Sequence, residues 1–148
     1  MSIARIEGFK GQYRFLSNFW LCNIMLDGLW FPSVENAYQA AKSYDKEYRL
    51  GLTELTASNA RAAGRLVKLR GDWEVVKQEV MYFLLVQKFR QPTLRQALLD
   101  TGDAYLEETN FHGDTYWGVC RGVGTNHLGI LLMQIRDEIR KQAERNSV

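Results

Sequence analysis

The clearest helical period in the chain runs from Trp73 to about Arg90, where Val76, Val80, Phe83, Leu84 and Gln87 recur at helical spacing. Asp72 is placed to cap that helix, Glu74 sits in its first turn and Pro92 ends it. A second such stretch, Leu128 to about Ala143, puts Leu128, Leu131, Leu132, Ile135 and Ile139 on one face. Its tail from Arg140 to Arg145 is polar and predicted to fray. Shorter helices are predicted over Lys46 to Leu55, over Asn59 to Val67 with Ser58 as cap, and over Thr93 to Asp100, stopped by Gly102.

Elsewhere the pattern changes. Ile3 to Phe19 alternates around Gly8 and Gly11 and predicts one or two short strands, with Ser17-Asn18 as a turn. Cys22 to Phe31 predicts a hairpin closed by Asp27-Gly28. Tyr105 to Glu108 predicts a strand, His112-Gly113-Asp114 a turn, and Tyr116 to Val119 a strand end or loop. Pro32 hands the first hairpin to a helix opened by Ser33. On that helix Val34, Ala37 and Ala41 form a small apolar stripe, and Glu35, Tyr38, Gln39 and Lys42 a polar one beside it. Gly64, inside a predicted helix, costs about 1 kcal/mol relative to Ala. Close approach of a backbone, a ligand or a neighbouring helix would account for it.

Length and composition narrow the picture. A chain of 148 residues supports one buried core and is read as a single domain, 1–148. With 46% hydrophobic and 24% charged residues it is neither disordered nor a membrane protein by composition. No stretch approaches the roughly 20 apolar residues of a span, and Met1 to Arg5 lacks the apolar core of a signal peptide, so the expected compartment is the cytoplasm. A net charge of +2 does not argue for nucleic acid. Arg61, Arg65, Lys68 and Arg70 cluster, but a solvated helix face outweighs a phosphate site on spacing alone. Cys22, Cys120, His112 and His127 fall in no ligand spacing, so neither a metal nor a cofactor is expected.

The candidate chemistry lies first on the Ser33 helix. A carboxylate, an amide and an amine on one face behind a helix N-terminus suit an anionic, sugar-containing ligand. Asp114-Thr115-Tyr116-Trp117-Gly118 adds a second carboxylate beside a large aromatic. Gly122 to Asn126, ahead of the last helix, resembles a phosphate-cradling loop only loosely. Taken singly, each of these is better explained as helix capping, turn geometry or core.

Taken together and in order they resemble the NADAR superfamily, the YbiA-like N-glycosidases. The resemblance is carried by Phe15-Leu16-Ser17-Asn18-Phe19, by Pro32 to Lys42, and by Ala63-Gly64-Arg65 followed by Arg70-Gly71-Asp72-Trp73. It continues through Lys88-Phe89, Leu106-Glu107, Asp114 to Gly118, and Asn126 to Arg136, nearly the whole chain. It implies an α+β, mostly helical fold with a small antiparallel sheet, and hydrolysis of an N-glycosidic bond to a phosphorylated ribose. The implied substrates are ribosylamine 5′-phosphate intermediates of riboflavin synthesis, or ADP-ribose on guanine, free or in nucleic acid.

By motif position the resemblance marks Glu35, Trp73, Asp114 and Trp117 as needed for activity, with Lys42 a further candidate. Cleaving C1′–N builds positive charge on the ribose and negative charge on the leaving base. Glu35 is assigned to activating water or stabilising the sugar cation, and Asp114 to ribose hydroxyls or proton transfer. Lys42 either neutralises a phosphate or attacks C1′ as an amine, which requires a lowered pKa. Arg61 and Arg65 are phosphate candidates, Trp117 and Trp73 would wall the base, and Ser17, Asn18, Tyr38, Gln39, Gly118 and Asn126 are further candidate substrate contacts. Where the YbiA-like pattern follows Trp-Gly with Asp-Gly, this chain has Val119-Cys120, a departure that bears on the substrate subclass.

Two other classes compete. A non-catalytic module reading ADP-ribose or a nucleotide would need only the aromatic and phosphate contacts, so the joint presence of Glu35, Asp114 and Lys42 favours the enzyme. A nucleic-acid-binding domain built on the Arg61 to Arg70 cluster would show steep salt dependence.

Overall fold

A computed structural model describes residues 3–147. In chain order the elements are β1 (Arg5–Glu7), a 3-10 helix (Gly11–Leu16), β2 (Ile24–Leu26), β3 (Leu29–Phe31), α1 (Val34–Ala41), α2 (Lys46–Leu52), α3 (Ala57–Leu66) and α4 (Trp73–Phe89). Then come α5 (Pro92–Leu99), β4 (Tyr105–Glu107), β5 (Thr109–Asn110), β6 (Val119–Cys120) and α6 (His127–Asn146). The fold is α+β and mostly helical. The chain divides into two compact units, Asn18 to Lys88 and the segments on either side of it.

In the Asn18–Lys88 unit the hairpin forms as its turn chemistry dictates. Asp27 and Gly28 both hold positive φ, 46° and 85°, which a two-residue type I′ turn requires. The register pairs Ile24 with Phe31 and Leu26 with Leu29. The Ser33 hydroxyl accepts the Asn36 N–H and caps α1. Every residue of α1 is buried, including Glu35, Asn36 and Gln39. Its predicted polar stripe therefore faces protein, against α3 and α2. Asn36 shows how such burial is satisfied, since its amide donates to the carbonyls of Leu52 and Leu55 at 2.9 and 2.8 Å. Helix α3 begins two residues earlier than the spacing suggests, because Thr56 rather than Ser58 accepts the N–H of Asn59.

In the other unit β1 pairs in parallel with β4, Ile6 opposite Leu106. The guanidinium of Arg5 lies 4.6 Å from the Tyr105 ring centroid. Alternation in the first segment yields only β1. The chain turns at Gly8 and Gly11, both at positive φ, and winds into the 3-10 helix that buries Leu16. Strands β5 and β6 also pair in parallel, so among the described residues the antiparallel hairpin is one of three two-stranded pieces. Helix α6 buries Leu128, Leu132 and Ile135 and stays helical to Asn146, past the residues expected to fray.

Candidate active site

Helix α1 supplies a buried polar cluster. The Glu35 N–H donates to the Asn18 carbonyl at 3.0 Å, which ties the first turn to the Ser17-Asn18 bend. The Glu35 side chain is 5% exposed, and its Oε1 accepts from Gln39 Nε2 at 2.8 Å and from Arg61 Nε at 3.4 Å. Arg61 comes from α3 and lies over Phe19, 4.4 Å from the ring centroid. An aromatic seat on one side and a carboxylate at Nε orient its terminal nitrogens, for which no partner is found among the described residues.

Lys42 follows the last turn of α1. Its Nζ is 3.4 Å from the Gly64 carbonyl and 5.7 Å from the Tyr38 ring centroid. Burial pushes its pKa below the ordinary lysine value; Glu35 pulls it back up, and Arg65 and Lys77 push it down again. Tyr38 packs on Trp73 with centroids 5.1 Å apart, so the tryptophan is a buried wall of this unit. Asn18 is buried too, with Nδ2 3.6 Å from the Met81 sulfur and Oδ1 without a partner. Arg65 is exposed on α3. Arg70 is committed to Asp72 through Nε–Oδ1 at 2.6 Å and Nη2–Oδ2 at 3.0 Å.

The remaining sequence candidates lie in the other unit. Asp114 Oδ1 accepts the N–H groups of Tyr116 and Trp117 at 3.1 and 2.9 Å, a turn-closing geometry. Asn110 secures the same loop, its Oδ1 accepting the Asp114 N–H at 3.0 Å and its Nδ2 donating to the Asp114 carbonyl at 2.9 Å. Trp117 meets the Tyr116 ring edge-on at 4.9 Å. The N–H groups of His127 and Leu128 donate to the carbonyls of Tyr116 and Trp117. The start of α6 is thus capped by this loop and does not offer those donors to a phosphate.

Gly118 admits no side chain, since a Cβ there would sit 2.0 Å from the Glu108 carbonyl oxygen. Asn126 holds a left-handed φ of 58° and is 1% exposed, with its amide spent on Glu108, Leu106 and Tyr105. Ser17 ends the 3-10 helix, its N–H donating to the Arg14 carbonyl at 3.0 Å. Among the described residues no three His, Cys, Asp or Glu side chains gather as a metal-holding set.

The structure thus brings together Glu35, Gln39, Arg61, Lys42, Tyr38 and Trp73 in one unit, and Asp114, Trp117, Gly118 and Asn126 in the other. Three participants are not among the site residues that the sequence marks. They are Phe19, which seats Arg61, Gly64, which abuts Gln39, and Asn110, which staples the Asp114 loop. Gly64 left a signal as a glycine inside a helix and Phe19 as part of a family motif, while Asn110 left none.

Fold and site define an α+β protein with a buried, charged cluster on a capped helix. A family model described as the NADAR domain matches residues 8–140. The chain is 38% identical over 143 residues to N-glycosidase YbiA of Escherichia coli (strain K12), covering 93% of this chain and 89% of that protein. It is 36% identical over 136 residues to N-glycosidase Npun_R5314 of Nostoc punctiforme, with 86% of each covered. It is also 41% identical over 144 residues to riboflavin biosynthesis protein VVA0006 of Vibrio vulnificus, of which it spans 38% of the length. The NMR structure of E. coli YbiA superposes with a TM-score of 0.84 at 36% identity, over 97% of this chain and 89% of that one. The chain belongs to the NADAR domain family.

Proposed function

We propose that the protein is an N-glycosidase that hydrolyses the C1′–N bond of a phosphorylated ribose conjugate. The carrying observation is the buried Glu35 carboxylate of α1, held by Gln39 of the same helix and Arg61 of α3, with the half-buried Lys42 at the C-terminal cap of α1. The names of the relatives support the reaction class, and the riboflavin names support a ribosylamine phosphate as the substrate class. In this reading the cytoplasm is the expected compartment. ADP-ribosylated guanine, free or in nucleic acid, is the second substrate class to be tested.

In this reading the C1′–N bond breaks as positive charge builds on the ribose, and Glu35 stabilises it and activates water. Water oxygen bonds to C1′ and its proton reaches the departing nitrogen. The lowered pKa of Lys42 raises its free-amine fraction, which supports attack on C1′. The Nζ–C1′ bond forms as C1′–N breaks and an amine proton passes to the leaving nitrogen, the C1′–O4′ bond then opens to give an imine, and water hydrolyses the imine to free the sugar phosphate and the amine. If Lys42 stays charged it holds the phosphate with Arg61, whose free fork suits two hydrogen bonds. Within its own unit Trp73 is placed to wall the base, and in the other unit Asp114 holds the Trp117 loop in shape.

Product analysis by mass spectrometry tests the reading, with Glu35→Gln as control. Ribose 5-phosphate released from a ribosylamine phosphate supports the first substrate class. ADP-ribose released from a modified guanine oligonucleotide supports the second. Cleavage of neither, with tight binding of ADP-ribose, would make the protein a binding module.

A further inference from the structure

Gly64 is a glycine whose backbone does not need one. It sits inside α3 in ordinary helical conformation, where alanine is the better helix former. What excludes a side chain is the Gln39 amide. A Cβ on Gly64 would lie 1.8 Å from Gln39 Oε1, 2.6 Å from its Cδ and 3.3 Å from its Cβ. Gln39 is 5% exposed, and its two amide atoms have opposite fates. Nε2 donates to Glu35 Oε1 at 2.8 Å, while Oε1 is buried with no hydrogen-bond partner.

An unsatisfied buried acceptor calls for an explanation. Turning the amide over would face its oxygen to the carboxylate oxygen of Glu35, so the charge on Glu35 dictates the orientation and leaves Oε1 against Gly64. The same glycine carbonyl lies 3.4 Å from Lys42 Nζ. One position on α3 therefore touches both the amide that holds the carboxylate and the amine beside it.

We propose that Gln39 is the positioning residue for Glu35, clamped in its donating orientation by the bare backbone of Gly64. It acts through Glu35 and needs no contact with substrate. The inference rests on the hydrolytic reading of Glu35 for its effect on turnover, but the clamp can be observed without activity.

The test has two readouts. In the NMR spectrum the Gln39 side-chain amide, assigned by its disappearance in Gln39→Leu, is expected to exchange slowly with solvent and to move in Glu35→Gln. Gly64→Ala is expected to return it to the fast exchange of surface glutamines. In turnover, Gly64→Ala and Gln39→Leu are each expected to lower kcat about tenfold or more with KM within about threefold, a loss confined to the chemical step. Added to Gln39→Ala, Gly64→Ala should cost less than about twofold further, because the two act as one unit.

A Gln39 amide exchanging like surface glutamines in the wild type overturns the proposal whatever the activity. So does a Gly64→Ala loss in kcat that is the same with and without the Gln39 side chain. A protected amide that responds to Glu35→Gln, in a protein whose turnover ignores Glu35→Gln, would uphold the clamp and sink the hydrolytic reading instead.

Discussion

Asn126 separates a structural latch from a substrate contact. Its Oδ1 accepts the Glu108 N–H at 3.0 Å, and its Nδ2 donates to the Leu106 carbonyl at 2.9 Å and to the Tyr105 hydroxyl at 3.2 Å. Its backbone is left-handed, φ 58°, at the start of α6. Asn126→Ala removes three hydrogen bonds worth about 1 kcal/mol each, more where a partner is left buried and unpaired. It also leaves a Cβ in the left-handed region without local hydrogen bonding, at about 1 kcal/mol.

The sum, about 4 kcal/mol, lowers the melting temperature by about 8–16 °C for a chain of this length. Asn126→Gly loses the same bonds but not the backbone term, so it should recover about 1 kcal/mol. Thermal unfolding followed by circular dichroism reads both, with kcat and KM measured well below the transition. A melting temperature within about 3 °C of wild type, together with a raised KM, would refute the latch and return Asn126 to the ligand.

Glu35→Gln keeps size and an acceptor for Gln39, so turnover should fall about 10²–10⁴-fold, the usual range for a positioned acid or base, with little change in melting temperature. Near wild-type turnover would remove Glu35 from the chemistry. For Lys42 the lowered pKa extends the free amine to lower pH, so borohydride trapping of a substrate adduct should rise with pH with a midpoint below the ordinary value of about 10.4. No mass increase under turnover at any pH would leave Lys42 an electrostatic role only. Phe19→Leu removes the ring under Arg61, a contact worth about 0.5–2 kcal/mol, and should raise KM for a phosphorylated substrate more than it lowers kcat. Steady-state kinetics with an unchanged KM would take Arg61 out of substrate binding.

Much of this architecture could be read from local pattern. The Asp27-Gly28 hairpin, the Ser33 cap, the extent of α4 and the buried face of α6 all follow from residues within a turn or two of one another. So does the placement of Glu35 and Gln39 on one side of α1, with Lys42 at its C-cap, since a period of 3.6 fixes which side chains share a side. The cap of α3, by contrast, is Thr56 and not Ser58, although serine is the better cap by propensity, so local preference does not decide between two capping residues this close together.

Sequence alone therefore determined the helices, the hairpin and the family motifs, because propensity, capping and turn chemistry are short-range. Only the tertiary structure decided that β1 pairs with β4 about a hundred residues away, that the polar stripe of α1 is buried against α3, and that Gly64 faces Gln39. It alone showed Asp114 and Asn126 spending their side chains on backbone groups of their own unit. A side chain's hydrogen-bond partners depend on which distant segments are packed beside it. Those contacts form only when apolar burial offsets the entropy of closing long loops, a balance struck by the whole chain and written in no single stretch of it.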